Sequence, residues 1–144
     1  MFVPEERYKE IIESVPIVCV DIIVKARQGF LLVKRKNDPL KDEFWVIGGR
    51  IFLGEKPVTA ALRKLFEEAG IECDESDLRF AGVYSDVFSG SNYGASNYHT
   101  ISLVYLLEVN SAPEVKLDVT SADYDYFETL PQRLIKKLYY SNEF

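Results

Sequence analysis

The sequence is short of the residues on which several protein classes depend. It carries two cysteines in 144 residues, Cys19 and Cys73. They stand far apart without C-x-x-C spacing, which leaves no thiolate pair for a metal or for redox work and reads as two structural thiols. Positive charge is scarce as well: 17 Lys and Arg against 23 Asp and Glu give a formal net charge of −6 and an isoelectric point near 4.9. A nucleic-acid backbone would be repelled by such a surface. Long apolar runs are missing, because Asp21 interrupts residues 17–24 and Ser102 and Glu108 interrupt 101–109, far short of the roughly 18 residues of a membrane span. The chain begins with Glu5, Glu6, Glu10 and Glu13 where a signal peptide needs a basic start and an apolar stretch. The expectation is a cytoplasmic protein with neither nucleic-acid nor membrane partner.

What is present suits a packed core. The chain is 47% hydrophobic and 28% charged, too apolar for disorder, and its length fits a single domain over residues 1–144. Residues 4–15 space Tyr8, Ile11 and Ile12 as a short amphipathic helix closed by Pro16. Residues 17–24 and 30–33 read as a hairpin turning at Gly29, and a polar loop leads to a strand over 44–47 that ends at Gly48 and Gly49. Residues 58–69 predict a helix with Ala61, Leu62, Leu65, Phe66 and Ala69 on its inner face, Pro57 opening it and Gly70 closing it. Two strands over 78–88 and 98–109, a last strand over 124–127 and a helix over 131–139 with Leu134, Ile135 and Leu138 inward complete an α+β domain.

The chemistry concentrates between Gly49 and Ile71. Gly49 is followed after five residues by Glu55, and after seven more by Arg63-Lys64-Leu65-Phe66-Glu67-Glu68-Ala69-Gly70-Ile71. Adjacent glutamates on a helix with an apolar back project into one solvent sector about 100° wide. Glu55 and the Gly48 carbonyl can close on that sector. Such hard oxygen donors suit Mg²⁺, with Mn²⁺ as an alternative. Arg63, one turn before Glu67, is placed to hold the carboxylates. From the helix alone the pair Glu67 and Glu68 would be an ordinary wet face; the full spacing singles it out.

That spacing resembles the Nudix box, with one departure: Lys64 stands where the box has glutamate. The resemblance implies an α/β/α sandwich with a mixed β-sheet and a loop-helix-loop motif, and a Mg²⁺-dependent hydrolase. Further residues are similar to the GDP-mannose mannosyl hydrolase branch: residues 14–21, 32–35, Phe44-Trp45, Gly48-Gly49-Arg50 and His99 after Tyr98. In that branch water attacks the anomeric carbon of a nucleoside diphosphate sugar. The likeness implies Gly48 and Glu68 as metal ligands, Arg35 and Arg50 on the diphosphate, and Asp21 and His99 at the substrate. A homodimer, the state of the branch, is permitted by the apolar first strand and helix.

The departures are as informative. The branch has a late catalytic histidine where this chain has Ser121-Ala122-Asp123, so Asp123 and Glu67 are the remaining proton acceptors. Asp86 stands where the branch has a substrate-contacting histidine. Glu67 and Glu68 are both present although the branch has lost the first of the pair, which favours attack at phosphorus. Lys64 is spaced to pair with Glu68 one turn later, which would weaken metal binding. The loop 89–97 offers Tyr93 for stacking on a base or sugar, or is a plain solvated turn. The expected substrate is a nucleoside diphosphate sugar such as GDP-mannose. The alternatives are a pyrophosphohydrolase acting at phosphorus and a nucleotide-sugar binding module without turnover.

Overall fold

The structure, a computed structural model, describes residues 2–37, 40–89 and 97–141. Its organising element is β1 (Ile17–Ala26), whose side chains are buried nearly without interruption, as a strand covered on both faces requires. One edge of β1 pairs in parallel with β6 (Asn97–Glu108), from Ile17 opposite Thr100 to Lys25 opposite Glu108. The other edge is shared. Near the hairpin turn β1 pairs with β2 (Gly29–Arg35) only from Val24 opposite Leu31 to Ala26 opposite Gly29. The two strands then part, and a bent segment fills the gap. Its first piece, β3 (Phe44–Trp45), pairs with β2; its second, β4 (Ile47–Arg50), pairs with β1 from Cys19 opposite Arg50 to Ile22 opposite Ile47. The single strand expected over 44–47 is therefore two, because the chain changes partners after Trp45.

Outside this fork, β5 (Leu78–Ser89) lies antiparallel to β6 and β7 (Ser121–Phe127) antiparallel to β2. With one parallel pair among antiparallel ones the sheet is mixed, and helices cover both faces. Alternation along β1 sends Val20, Ile22 and Val24 to one face, where Ala60, Ala61, Leu65 and Ala69 of α2 (Pro57–Ala69) meet them. Ile23 points the other way, into a core with Trp45, Tyr84, Val104 and Leu134. Cys19 on that same face packs with Tyr8 and Ile12 of α1 (Glu5–Ser14). The α+β class stands as the element pattern predicts, and the sandwich with a mixed sheet as the resemblance implies.

Two helices depart from expectation. The inner stripe of α2 is rotated: Phe66 is 57% exposed while Glu68 is 6% exposed, because the Gly48 N–H of β4 supplies a partner that lets a carboxylate go inside. Gly70 closes this helix in the left-handed conformation, φ 67°, which glycine adopts without penalty. The terminal helix is shorter than residues 131–139: α3 covers Gln132–Lys136, and Leu138–Tyr139 forms β8 against β5. Leu134 is fully buried, whereas Ile135 is exposed.

A charged clamp holds α3 to the sheet. The buried carboxylate of Asp86 accepts hydrogen bonds from Arg133 through Nε and, at 3.1 Å, Nη2, and from Lys137 Nζ at 2.6 Å, the Tyr84 hydroxyl and the Val87 N–H at 2.8 Å. Arg133 also lies over the Phe88 ring, 4.6 Å from its centroid. Removal from water alone would raise the Asp86 carboxyl, but Arg133, Lys137 and Tyr84 hold it at about 2, below its ordinary 3.8. The ionised form therefore stabilises the fold above pH 4, and this contribution is lost as pH falls toward 2. Replacing Asp86 by Asn is expected to cost about 2–3 kcal/mol near neutrality, less than a fully buried pair because Arg133 and Lys137 are partly in water. Urea unfolding of both proteins between pH 7 and pH 2 measures this, and the difference should shrink toward the acid end.

Candidate functional site

The site is built around the glycine pair of β4. Gly48 lies opposite Asp21 in the sheet, so close that a Cβ at position 48 would strike Asp21 Oδ1 and the Val20 carbonyl. On the other side the Gly48 N–H donates to Glu68 Oε2 at 3.2 Å. Two buried carboxylates thus flank one glycine, and no larger residue would let both approach. Burial raises Glu68, while Lys64 and the Gly48 N–H pull it back.

The acidic helix is densely paired. Lys64 Nζ lies 3.3 Å from Glu68 Oε1 and 3.6 Å from Glu67 Oε2. Arg63 grips Glu55 in a fork, Nε to Oε2 at 2.8 Å and Nη2 to Oε1 at 3.1 Å. It reaches Glu67 Oε2 through Nη1 at 3.1 Å and the Arg50 carbonyl through Nη2 at 3.0 Å. Its guanidinium lies 3.7 Å from the Phe52 ring centroid, and Glu55 accepts the Phe52 N–H at 3.0 Å. One arginine therefore fixes the turn between β4 and α2, since its planar fork satisfies several acceptors at once. The glutamates do not share one solvent sector, contrary to the sequence reading: Glu67 points outward with 45% of its side chain exposed, and Glu68 lies inside.

Across the sheet a cleft of about 100 Å³ is lined by Asp21, Arg35, Gly48, Gly49 and Arg50, with Thr100 and Ser102 of β6 and the rings of Trp45, Tyr84, Phe88 and Tyr98. Arg50 is stacked 5.3 Å from the Tyr8 ring centroid and 5.2 Å from that of Phe52. The Asp21 carboxyl is pushed up to about 7, chiefly by burial, against the opposing pull of Ser102 and Arg35. Burial also lifts the Cys19 thiol to about 12, so it offers no thiolate nucleophile.

The structure brings Asp21, Arg35, Gly48 and Arg50 to one cleft, with Glu68 and Glu67 behind the glycine pair and Arg63 bracing them. Three candidates fall elsewhere. His99 sits between the cleft residues Tyr98 and Thr100, and alternation turns it to the opposite sheet face, where its Nε2 meets Ser85 Oγ at 3.2 Å. Both Asp86 oxygens are engaged in the clamp. Asp123 is exposed on β7 opposite Lys34, and its Oδ1 accepts the Tyr124 N–H at 2.8 Å. Tyr93 lies outside the described residues. Thr100, Ser102 and Trp45 line the cleft without having been singled out as site residues from the sequence; two hydroxyls alternating along an apolar strand were the available signal.

The donor chemistry fits a hard divalent ion in part. Glu67 and Glu68 offer oxygens of the right kind, yet both carboxylates already pair with cations. Among the described residues no three His, Cys, Asp or Glu side chains converge to hold a metal by themselves. Among the described residues no helix is long and apolar enough to cross a membrane.

Comparison with known proteins bears on this arrangement. The NUDIX domain model matches residues 15–133. The low-salt glycan biosynthesis protein Agl8 of Haloferax volcanii is 27% identical over 128 residues, covering 88% of this chain and 80% of that protein. The ADP-ribose pyrophosphatase of Methanocaldococcus jannaschii is 34% identical over 113 residues, 78% of this chain and 62% of that protein, so the chain spans less than two thirds of it. The NUDIX domain of Shewanella oneidensis NrtR, solved with ADP ribose, superposes with a TM-score of 0.65 at 18% identity, covering 85% of this chain and 84% of that one.

Burial of Asp21 makes a prediction about stability. Its carboxyl titrates near 7 when folded and at 3.8 ordinarily, so ionisation favours the unfolded chain increasingly as pH rises from about 4 to about 7. Asp21→Asn is expected to stabilise the protein, with a gain that grows across that window and levels off above it. Urea unfolding at pH 5 and pH 8 checks the trend; equal gains at both would show a carboxyl ionised at its ordinary value.

Proposed function

Since the chain belongs to the NUDIX domain family, we propose that it hydrolyses a nucleoside diphosphate joined to a sugar, with the help of a divalent cation. One observation carries the reading: Arg35 and Arg50 line the same cleft as the Gly48 and Gly49 pair that backs onto Glu68. Planar, permanently charged donors suit diphosphate oxygens and stabilise the charge that grows on a leaving phosphate. Asp21, Thr100 and Ser102 offer the cleft's hydrogen bonds to sugar hydroxyls, and Trp45, Tyr98 and Phe88 offer stacking surface to a base.

Glu68, Glu67 and the Gly48 carbonyl are the groups that would hold Mg²⁺ or Mn²⁺, which when bound would neutralise the diphosphate and polarise its oxygens. Glu67, exposed and held by Arg63, is the acceptor for a proton from water, with Arg63 as its positioning residue. Asp123, tied to its own strand at the exposed edge, is the weaker choice of base. The Glu67 and Glu68 pair favours attack at phosphorus, and so does the likeness to an ADP-ribose pyrophosphatase. The likeness to a glycan biosynthesis protein favours a second reading, release of free sugar from GDP-mannose by attack at carbon.

Incubation of ADP-ribose and GDP-mannose with Mg²⁺ in ¹⁸O water, with products separated by chromatography, tests both. Labelled nucleoside monophosphate or sugar phosphate is expected, and labelled free sugar would move the attack to carbon. Glu68→Gln should lower turnover ~100-fold or more, and Arg35→Ala or Arg50→Ala should raise KM about tenfold. Tight calorimetric binding of an intact nucleotide sugar without product would replace this reading with that of a binding module.

A further inference from the structure

We propose that Tyr8 of α1 is a positioning residue for the diphosphate, its ring holding the Arg50 guanidinium in the posture that meets phosphate oxygens. This rests on the reading of the cleft as a diphosphate site. The helix α1 precedes residues 15–133, the part of the chain that the NUDIX domain model matches. It is nevertheless packed against the cleft. Its buried residues, Tyr8 and Ile12, cluster with Cys19 of β1 and with Tyr98 of β6, and both of these line the cleft. The Tyr8 hydroxyl lies 3.4 Å from that of Tyr98. Cys19 stands opposite Arg50 in the sheet, and residues so paired send their side chains to the same face. The helix that covers Cys19 therefore reaches Arg50 as well, whose Cζ is 5.3 Å from the Tyr8 ring centroid.

Arg50 is held at both ends. Its carbonyl accepts a hydrogen bond from Arg63 Nη2 at 3.0 Å, which ties its backbone to α2. Its guanidinium has two ring neighbours, Tyr8 and, at 5.2 Å, Phe52. Phe52 follows Arg50 by two residues and is itself covered by the Arg63 guanidinium, so it belongs to the turn before α2. Tyr8 is the neighbour that arrives from a separate element. A guanidinium stacked by its face keeps its N–H donors at the edge, in the plane where phosphate oxygens are bound. A long side chain already ordered by a ring also loses less freedom when a ligand arrives. Tyr8 thus makes α1 a working part of the site.

Calorimetric titration with ADP and with inorganic pyrophosphate, each with Mg²⁺, compares wild type, Tyr8→Leu and Tyr8→Phe, alone and combined with Arg50→Ala. Tyr8→Leu should weaken both ligands ~5-fold, and Tyr8→Phe, which keeps the ring, should stay near wild type. With Arg50 already replaced by Ala, Tyr8→Leu should change nothing further, because residues that act through one contact are not additive. Tyr8→Met repeats the comparison with a second apolar replacement. Ile12→Val, one turn along the same buried face of α1, should bind as wild type does. Equal affinity in wild type and Tyr8→Leu overturns the proposal, as does a loss that persists without Arg50 or one that Ile12→Val reproduces. A wild type that binds neither ligand would instead overturn the diphosphate reading, and the role of Tyr8 with it.

Discussion

The parting of β1 from β2 after three residue pairs governs where everything else in the molecule can lie. A continued hairpin would have used both edges of β1 and left β4 no place in the sheet. Once the strands separate, the chain from Phe44 to Arg50 enters the gap, first on β2 and then on β1. That insertion sets Gly48 opposite Asp21 and presents its N–H to α2. The cleft on one face and the acidic helix on the other are two sides of the same inserted strand, which is why residues distant in sequence, such as Asp21 and Glu68, share one neighbour.

Three buried carboxylates show how a fold can treat the same chemical problem in different ways. Asp86 is saturated by Arg133, Lys137, Tyr84 and a backbone N–H, so it stays ionised and serves the architecture. Glu68 is matched by one ammonium and one N–H, enough to keep it inside while still facing the cleft's back wall. Asp21 has Ser102 and the more distant influence of Arg35, and its carboxyl holds its proton to about pH 7. The less completely a buried acid is satisfied by the protein, the more it has left to offer a ligand.

Much of this was legible in the sequence because it depends on local pattern. The spacing of Gly49, Glu55, Arg63, Glu67 and Glu68 located the helix and its turn, and the Arg63 pairing follows from residues one helical turn apart. What escaped depends on long-range placement. Helical periodicity counted Phe66 as inward and Glu68 as outward, since no count of apolar residues foresees an N–H arriving from another strand. The reach from β5 to α3 that engages Asp86 is likewise invisible without the fold, and so is the shortening of α3, whose last residues add a strand. His99 was chosen by resemblance, and strand alternation places it on the opposite face.

The parallel pairing at the centre of the sheet has a kinetic consequence. β1 meets β6 from Ile17 with Thr100 to Lys25 with Glu108, so this edge of β1 cannot be satisfied until most of the chain has been made. During synthesis β1 can meet β2, β4 and α2 early, because these lie close along the chain, and their packing can shelter one edge and one face. The other edge stays open on a strand dominated by Ile and Val until β6 arrives, and the closure of so long a loop is slow relative to local folding. For that interval the nascent protein exposes a template for pairing with another chain. The order of its strands therefore sets a period in which correct folding competes with self-association.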